Sequence, residues 1–361
     1  MSYTKRTHRS AYRLGCLSVL VGSTLLAGPM SVGSIPALVE RSALVFVGTI
    51  VQQHASASSL SVTIVTDRMI KGSLQGQATV SVVFPSLRDR SINPIGLHGI
   101  FFARTSPSGA EWEIVSPMGG GETVLDMFYS LSKSQMAPAS SPDDSSTDRV
   151  IRELAAAFER RESRLGPPID LVGMVRAWPT VAARAEAARL STSSDPIVHA
   201  IALKAGISIG DVSALQRATS ERSTTAKSQF SDLMDYVKRY YRSPDPLGVK
   251  VLGQLLVDGD SQDQISAASA LAHIHTNVAL QYLAPLLDSA DPVLRSCAVG
   301  GLALFANNVP IGENHPAPGE WKYRTNETMQ NSAMDADVIK NNSGIITFWK
   351  AWWQQNRFSL N

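Results

Sequence analysis

The sequence predicts an α+β chain of two domains, a small β-barrel or sandwich followed by stacked pairs of helices. Three observations carry this. Short β-branched runs alternate with turn residues up to about residue 131. A Ser/Pro/Ala/Asp stretch then interrupts them. Beyond it the apolar period changes from two to about 3.6, and one pattern recurs at a fixed interval.

At the amino terminus, Lys5, Arg6, Arg9 and Arg13 precede the apolar run Leu14 to Ala27, with no acidic residue among them. That order is the one found in secretory signal segments. The run is shorter than the roughly 20 residues a bilayer crossing needs. Residues 1–33 therefore read as a signal peptide cleaved between 27 and 33, either after Ala27 or after Gly33, behind the small residues Ser31 and Gly33. Removal places the mature chain in the periplasm or outside the cell, with no stable membrane span. The formal net charge of +2 then becomes about −2. No basic stripe with interleaved aromatics remains to attract nucleic acid. Of the two cysteines only Cys297 survives, so no internal disulfide can form. Cys297 reads as a small buried apolar side chain.

Residues 35–131 form the β-rich module. Ala43 to Val51 suits a strand buried on both faces. Leu60, Val62 and Ile64 alternate with Ser61 and Thr63, so one face turns inward. Ala78 to Phe84, Gly99 to Arg104 and the stretch with Trp112 and Ile114 are further strands. Gly72, Pro85, Pro94 and Gly109 punctuate them.

Residues 132–147 cannot bury a core and read as a flexible linker, in which Asp143 and Asp144 are expected to be solvated. The helical domain is expected over residues 148–361. Asp148 is suited to cap a helix whose apolar face carries Ile151, Leu154 and Phe158. Asp195-Pro196, Asp245-Pro246 and Asp291-Pro292 mark further helix starts, because Asp accepts the free N–H groups and Pro needs no donor at the first position. Leu255, Leu256, Asp260, Ala267 and Leu271 recur 31 residues later as Leu286, Leu287, Asp291, Ala298 and Leu302. Small residues such as Ala267, Ala270, Ala298, Gly300 and Gly301 let these helices approach closely. A polar insert occupies 308–344, and a capping helix 345–356 presents Ile345, Phe348, Trp349 and Trp352 on one face.

From Asp195 to Ala306, and most clearly from Leu255 to Asn307, these residues resemble HEAT-like repeats of the compact bacterial kind. The resemblance implies an α-solenoid of HEAT-like helix pairs. The segment from Ala37 to Val51, followed by Val62 to Gly72, resembles the opening of netrin-like and tissue-inhibitor-of-metalloproteinase-like modules, which implies an OB-like barrel. The chain lacks that family's cysteines, including the terminal one on which metalloproteinase inhibition depends, so inhibition does not carry over.

Motifs for chemistry are few. No histidines fall at the zinc spacing His-Glu-x-x-His, and His273 and His275 lie about 200° apart on a helix, which suits a surface or helix-end role. Ser130 and Lys133 match Ser-x-x-Lys without its companion motifs. Gly119, Gly120 and Gly121 lack the Lys-Ser/Thr of a phosphate loop. Asn326 and Asn341 match glycosylation acceptors. The sequence therefore assigns no catalytic, cofactor-binding or metal residues. It points to a non-catalytic binding or scaffold protein that engages a protein or peptide through helices between Asp245 and Ala306. The alternatives are a cell-envelope hydrolase whose site no motif reveals and a structural envelope component.

Overall fold

A computed structural model describes residues 35–55, 59–74, 77, 79–85, 93–109, 111–117, 128–131, 143–161, 169–313 and 343–358. The expected signal segment, most of the linker, Gly119 to Gly121, Lys133, Asn326, Asn341 and most of the polar insert lie outside the described residues. The chain is α+β in two parts, a five-stranded barrel followed by a helical region. The boundary between its two compact units runs through one helix, after Val150.

In the first unit, α1 (Ile35–Arg41) leads into β1 (Leu44–Ala55), β2 (Ser59–Lys71), β3 (Thr79–Pro85), β4 (His98–Thr105), β5 (Trp112–Ile114) and β6 (Tyr129–Ser130). The strand order β1-β2-β3-β5-β4 closes on itself because β4 also pairs with β1, from Leu44↔Ala103 to Thr49↔His98. The β3–β5 pairing is parallel and the other pairings are antiparallel. Closure of so small a ring demands strongly coiled strands. β1 meets that demand with register shifts at Val45/Phe46, Val47/Gly48 and Ile50/Gln52. Gly48 sits so close to β2 that a Cβ there would lie 2.5 Å from the Val65 carbonyl oxygen. Inward residues fill the ring, with Phe101 stacked on Phe46 at 5.6 Å and on Phe128 at 4.7 Å between centroids. Lys71 closes the carboxyl end of α1 by donating to the carbonyls of Val39 and Ser42.

The helical region comprises α2 (Ser146–Glu159), α3 (Leu171–Ala177), α4 (Val181–Leu190), α5 (Pro196–Ser208), α6 (Val212–Ser220), α7 (Lys227–Tyr240), α8 (Pro246–Asp258), α9 (Ser261–Ile274), α10 (Asn277–Leu283), α11 (Pro292–Ala306) and α12 (Ser343–Asn356). α2 starts two residues before Asp148. Ser145 Oγ accepts the Asp148 N–H and donates to its carboxylate, a reciprocal pair that fixes the first turn further upstream. Asp144 is not solvated as expected. Its carboxylate is 8% exposed and bonds Arg152, which also holds Glu186 on α4.

All three Asp-Pro sites behave as the sequence predicts. Asp195, Asp245 and Asp291 each accept N–H groups of the first turn, with Pro at its start. Asp260 and Asp263 form a reciprocal capping box on α9. The irregular stretch from Glu221 supplies Arg222, which pairs with the buried Asp263 carboxylate at 2.9 Å.

Packing of the helices follows a simple rule. α3, α5, α7, α9, α11 and α12 each pack on the next of that series, while α6, α8 and α10 form a second series. Most consecutive helices along the chain also pack together, so the two series share one core from Leu203 to Trp349. The small residues act as expected where α9 meets α11. A Cβ on Gly301 would lie 3.0 Å from Ala272 Cα and 2.4 Å from Leu283 Cδ1. On α12, Ile345 and Trp349 are buried, but Phe348 is 47% exposed. One residue is a 100° step on a helix, and the buried face is centred on Trp349, so Phe348 swings outward.

Candidate functional site

Two helix ends build the most distinctive site of the helical unit. α9 stops at Ile274, and His275 adopts the left-handed conformation (φ 30°, ψ 38°) while its N–H donates to the Leu271 carbonyl. Thr276 then caps α10 by accepting the Ala279 N–H at 3.3 Å. One left-handed residue thus turns the chain between two helices. Glycine is the usual occupant, since a side chain there costs about 1–2 kcal/mol.

α11 ends in the same manner. Asn308 is left-handed (φ 54°), Asn308 N–H donates to Phe305 O, and Val309 N–H donates to Leu304 O. Those two bonds satisfy carbonyls the helix leaves open. The following loop is pinned back onto α9. His275 Nε2 lies 2.6 Å from Val309 O, and Gly312 N–H donates to His273 O at 3.2 Å.

Between these ends lies a pocket of about 440 Å³ lined by Pro244, His275, Thr276, Asn277, Val278, Phe305, Asn308, Val309 and Ile311. Among the described residues no Asp, Glu, Lys or Arg lines it. Two of the three non-glycine residues with positive φ among the described residues, His275 and Asn308, stand in its wall. Because a carbonyl can only accept, Nε2 carries a proton. His275 is 4% exposed, and its Nδ1 has no hydrogen-bond partner among the described residues. Such an atom costs about 1–3 kcal/mol while it stays unsatisfied. Ile311, by contrast, is 43% exposed. The wall therefore combines aliphatic and aromatic surface with amide, hydroxyl and imidazole groups, a lining suited to an uncharged ligand group.

The nearest barrel counterpart joins His98 to Thr49 and Asp67. Thr49 Oγ1 at 2.9 Å and Asp67 Oδ2 at 3.3 Å share the same nitrogen, Nδ1. A hydroxyl-activating relay needs the hydroxyl and the carboxylate on opposite ring nitrogens, so this trio is not arranged as one. Cys297 is partly buried, and desolvation pushes its thiol up to about 11, with Lys238 opposing and Asp291 reinforcing the shift. A thiol so rarely ionised is a poor nucleophile at neutral pH. Ser130 closes β6, while Lys133 lies outside the described residues. Among the described residues no cluster of three or more His, Cys, Asp or Glu side chains could hold a metal ion.

His273 and His275 end apart, because His275 lies past the end of α9 in the left-handed turn rather than on the helix. His273 Nδ1 bonds the Ser269 carbonyl at 2.7 Å, and His275 turns to Val309. The sequence reading did not single out Asn308 or Ile311. The available signal was a helix end without glycine at His275-Thr276, matched by a second at Asn307-Asn308. Protein-family models, curated proteins and solved structures contain no match to this chain.

Proposed function

We propose that the protein is an exported, non-catalytic binding or scaffold protein that engages a protein or peptide through its helical-repeat surface. The observation that carries this reading is the pocket between the ends of α9 and α11, with two left-handed residues in its wall and no Asp, Glu, Lys or Arg among its described lining. Strain of this kind persists where the surrounding structure imposes it, and it concentrates at ligand sites. The two packing series, with Asp-Pro starts on α5, α8 and α11, support an α-solenoid of HEAT-like units. The ring order β1-β2-β3-β5-β4-β1 supports an OB-like front module. Export to the periplasm or the extracellular space rests on the cationic and apolar leader. No described helix is long and apolar enough to cross a membrane.

The test places a photo-crosslinking residue at Ile311, and as a control at the exposed Gln254 on α8, in the full chain within its native envelope. The expected result is a discrete protein adduct at Ile311 that is absent at Gln254 and weakened by His275→Ala. Equal crosslinking at the two positions would sink the reading.

A further inference from the structure

β1 is longer than the ring it helps to close. Its pairing with β4 ends at Thr49↔His98, and its last contacts on that side are Ile50 N–H to Leu97 O and Gly96 N–H to Ile50 O. Beyond them, Gln52 to Ala55 continue in register with β2, from Gln52↔Thr63 to Ala55↔Leu60. Among the described residues nothing pairs with the opposite edge of Val51 to Ala55, and all five residues are exposed. That leaves about 17 Å of extended backbone with one hydrogen-bonding edge open.

Open edges are normally guarded by Lys, Pro or inward charge. Val51, Gln52, Gln53, His54 and Ala55 include no Lys, Arg, Asp, Glu or Pro. A bulge at Ile50/Gln52 is the one protective device present, and it sits at the base of the edge. Among the described residues of the barrel unit, the two exposed large hydrophobic side chains, Val51 (39%) and Ile95 (48%), belong to the segments that part at this same point. Ile95 directly precedes Gly96, the last residue bonded to β1 on that side.

We propose that Val51 to Ala55 form a strand-addition site for an extended, uncharged peptide segment carrying aliphatic side chains. Backbone hydrogen bonds along the edge supply the affinity, and the apolar surface of Val51 and Ile95 selects the aliphatic residue. A second copy of the chain is the competing occupant, and dependence on protein concentration separates the two. An edge without Lys, Arg, Asp or Glu offers no ion-pair partner to a charged segment, whose ions would lose solvation without return. The proposal is independent of the pocket at His275.

The test uses the full chain and a capped heptapeptide of alternating threonine and valine, with backbone amide exchange as the readout. The expected result is that alternate amides of Val51 to Ala55 slow about tenfold when the peptide is at about ten times its dissociation constant. The same peptide N-methylated at alternate residues gives no slowing, and Gln53→Lys and Val51→Lys, both folded by circular dichroism, lose the effect. Three results overturn the proposal: no slowing, equal slowing by the N-methylated peptide, or slowing without peptide that rises with protein concentration and marks self-association.

Discussion

His275 Nε2 and the carbonyl oxygen of Val309, 34 residues apart in sequence, lie 2.6 Å apart and tie the end of α9 to the loop that follows α11. The same residue holds a left-handed backbone, so its side chain stabilises while its main chain strains.

Substitution separates the two effects. His275→Ala removes the bond and keeps a Cβ in the left-handed region, and it is expected to destabilise the helical unit by about 2–3 kcal/mol. His275→Gly removes the bond but relieves the strain, and it should be milder by about 1 kcal/mol. Urea unfolding midpoints followed by tryptophan fluorescence measure both. An alanine variant no worse than the glycine variant contradicts the strain.

The contact of α9 with α11 depends on a missing methyl group. Gly301→Ala places a Cβ 3.0 Å from the Ala272 backbone. Overpacking of this kind costs about 1–3 kcal/mol, against about 1 kcal/mol regained in helix propensity. Because backbone cannot yield as a side-chain tip does, the net effect is a loss of stability, and thermal unfolding of Gly301→Ala should begin below that of the parent.

Each Asp-Pro cap acts locally. Asp245→Ala and Asp291→Ala should each cost about 1 kcal/mol. Their helices do not share a cap partner, so the double variant should lose the sum within about 0.5 kcal/mol. Unfolding of the four proteins of this cycle provides the check.

Acid acts on the capping box. The Asp260 carboxylate accepts the N–H groups of Asp263 and Gln262, and these, with Lys227 and Arg222, hold its pKa below the ordinary 3.8. A folded value below the unfolded one gives stabilisation that is complete above the ordinary value and is lost as pH falls through the folded one. Asp260→Asn keeps an acceptor and removes the titration. Its stability should therefore vary less with pH than that of the parent as pH falls below the ordinary value of 3.8, as followed by urea midpoints.

Trp349 is fully buried, yet its Nε1 donates to no group among the described residues. Trp349→Phe discards that unsatisfied donor along with part of the ring, so its cost should stay near 1 kcal/mol. Trp349→Ala should cost about 3–5 kcal/mol. Calorimetry on the two variants tests the asymmetry, and a phenylalanine variant as damaged as the alanine variant refutes it.

Local chemistry was legible in the sequence wherever neighbouring residues determine it. Asp195, Asp245 and Asp291 cap helices because each bond closes within three residues. Leu60, Val62 and Ile64 fall on one buried face because a strand alternates. The strand pattern left barrel and sandwich both open, since pairing Leu44 with Ala103 depends on bends at Gly48 and Ile50 that no period announces. The pocket was hidden for a similar reason. Its wall joins Pro244, the turn at His275 and the loop at Asn308, and the left-handed backbone of a histidine leaves no mark on composition. Phe348 was misplaced because an aromatic three residues after Ile345 fits the period while lying at the margin of the buried arc.

The closed ring also sets an order of events. β1 cannot complete its second ladder until β4 has been synthesised, because Thr49 waits for His98 and Leu44 for Ala103. From α4 onward each helix of the array finds a partner close behind it in the chain. Loop closure over the longer span is entropically slower. The barrel, which precedes the helices in the chain, is thus the part whose topology delays it more, and during synthesis β1 holds an unpaired ladder partner until Ala103 has emerged.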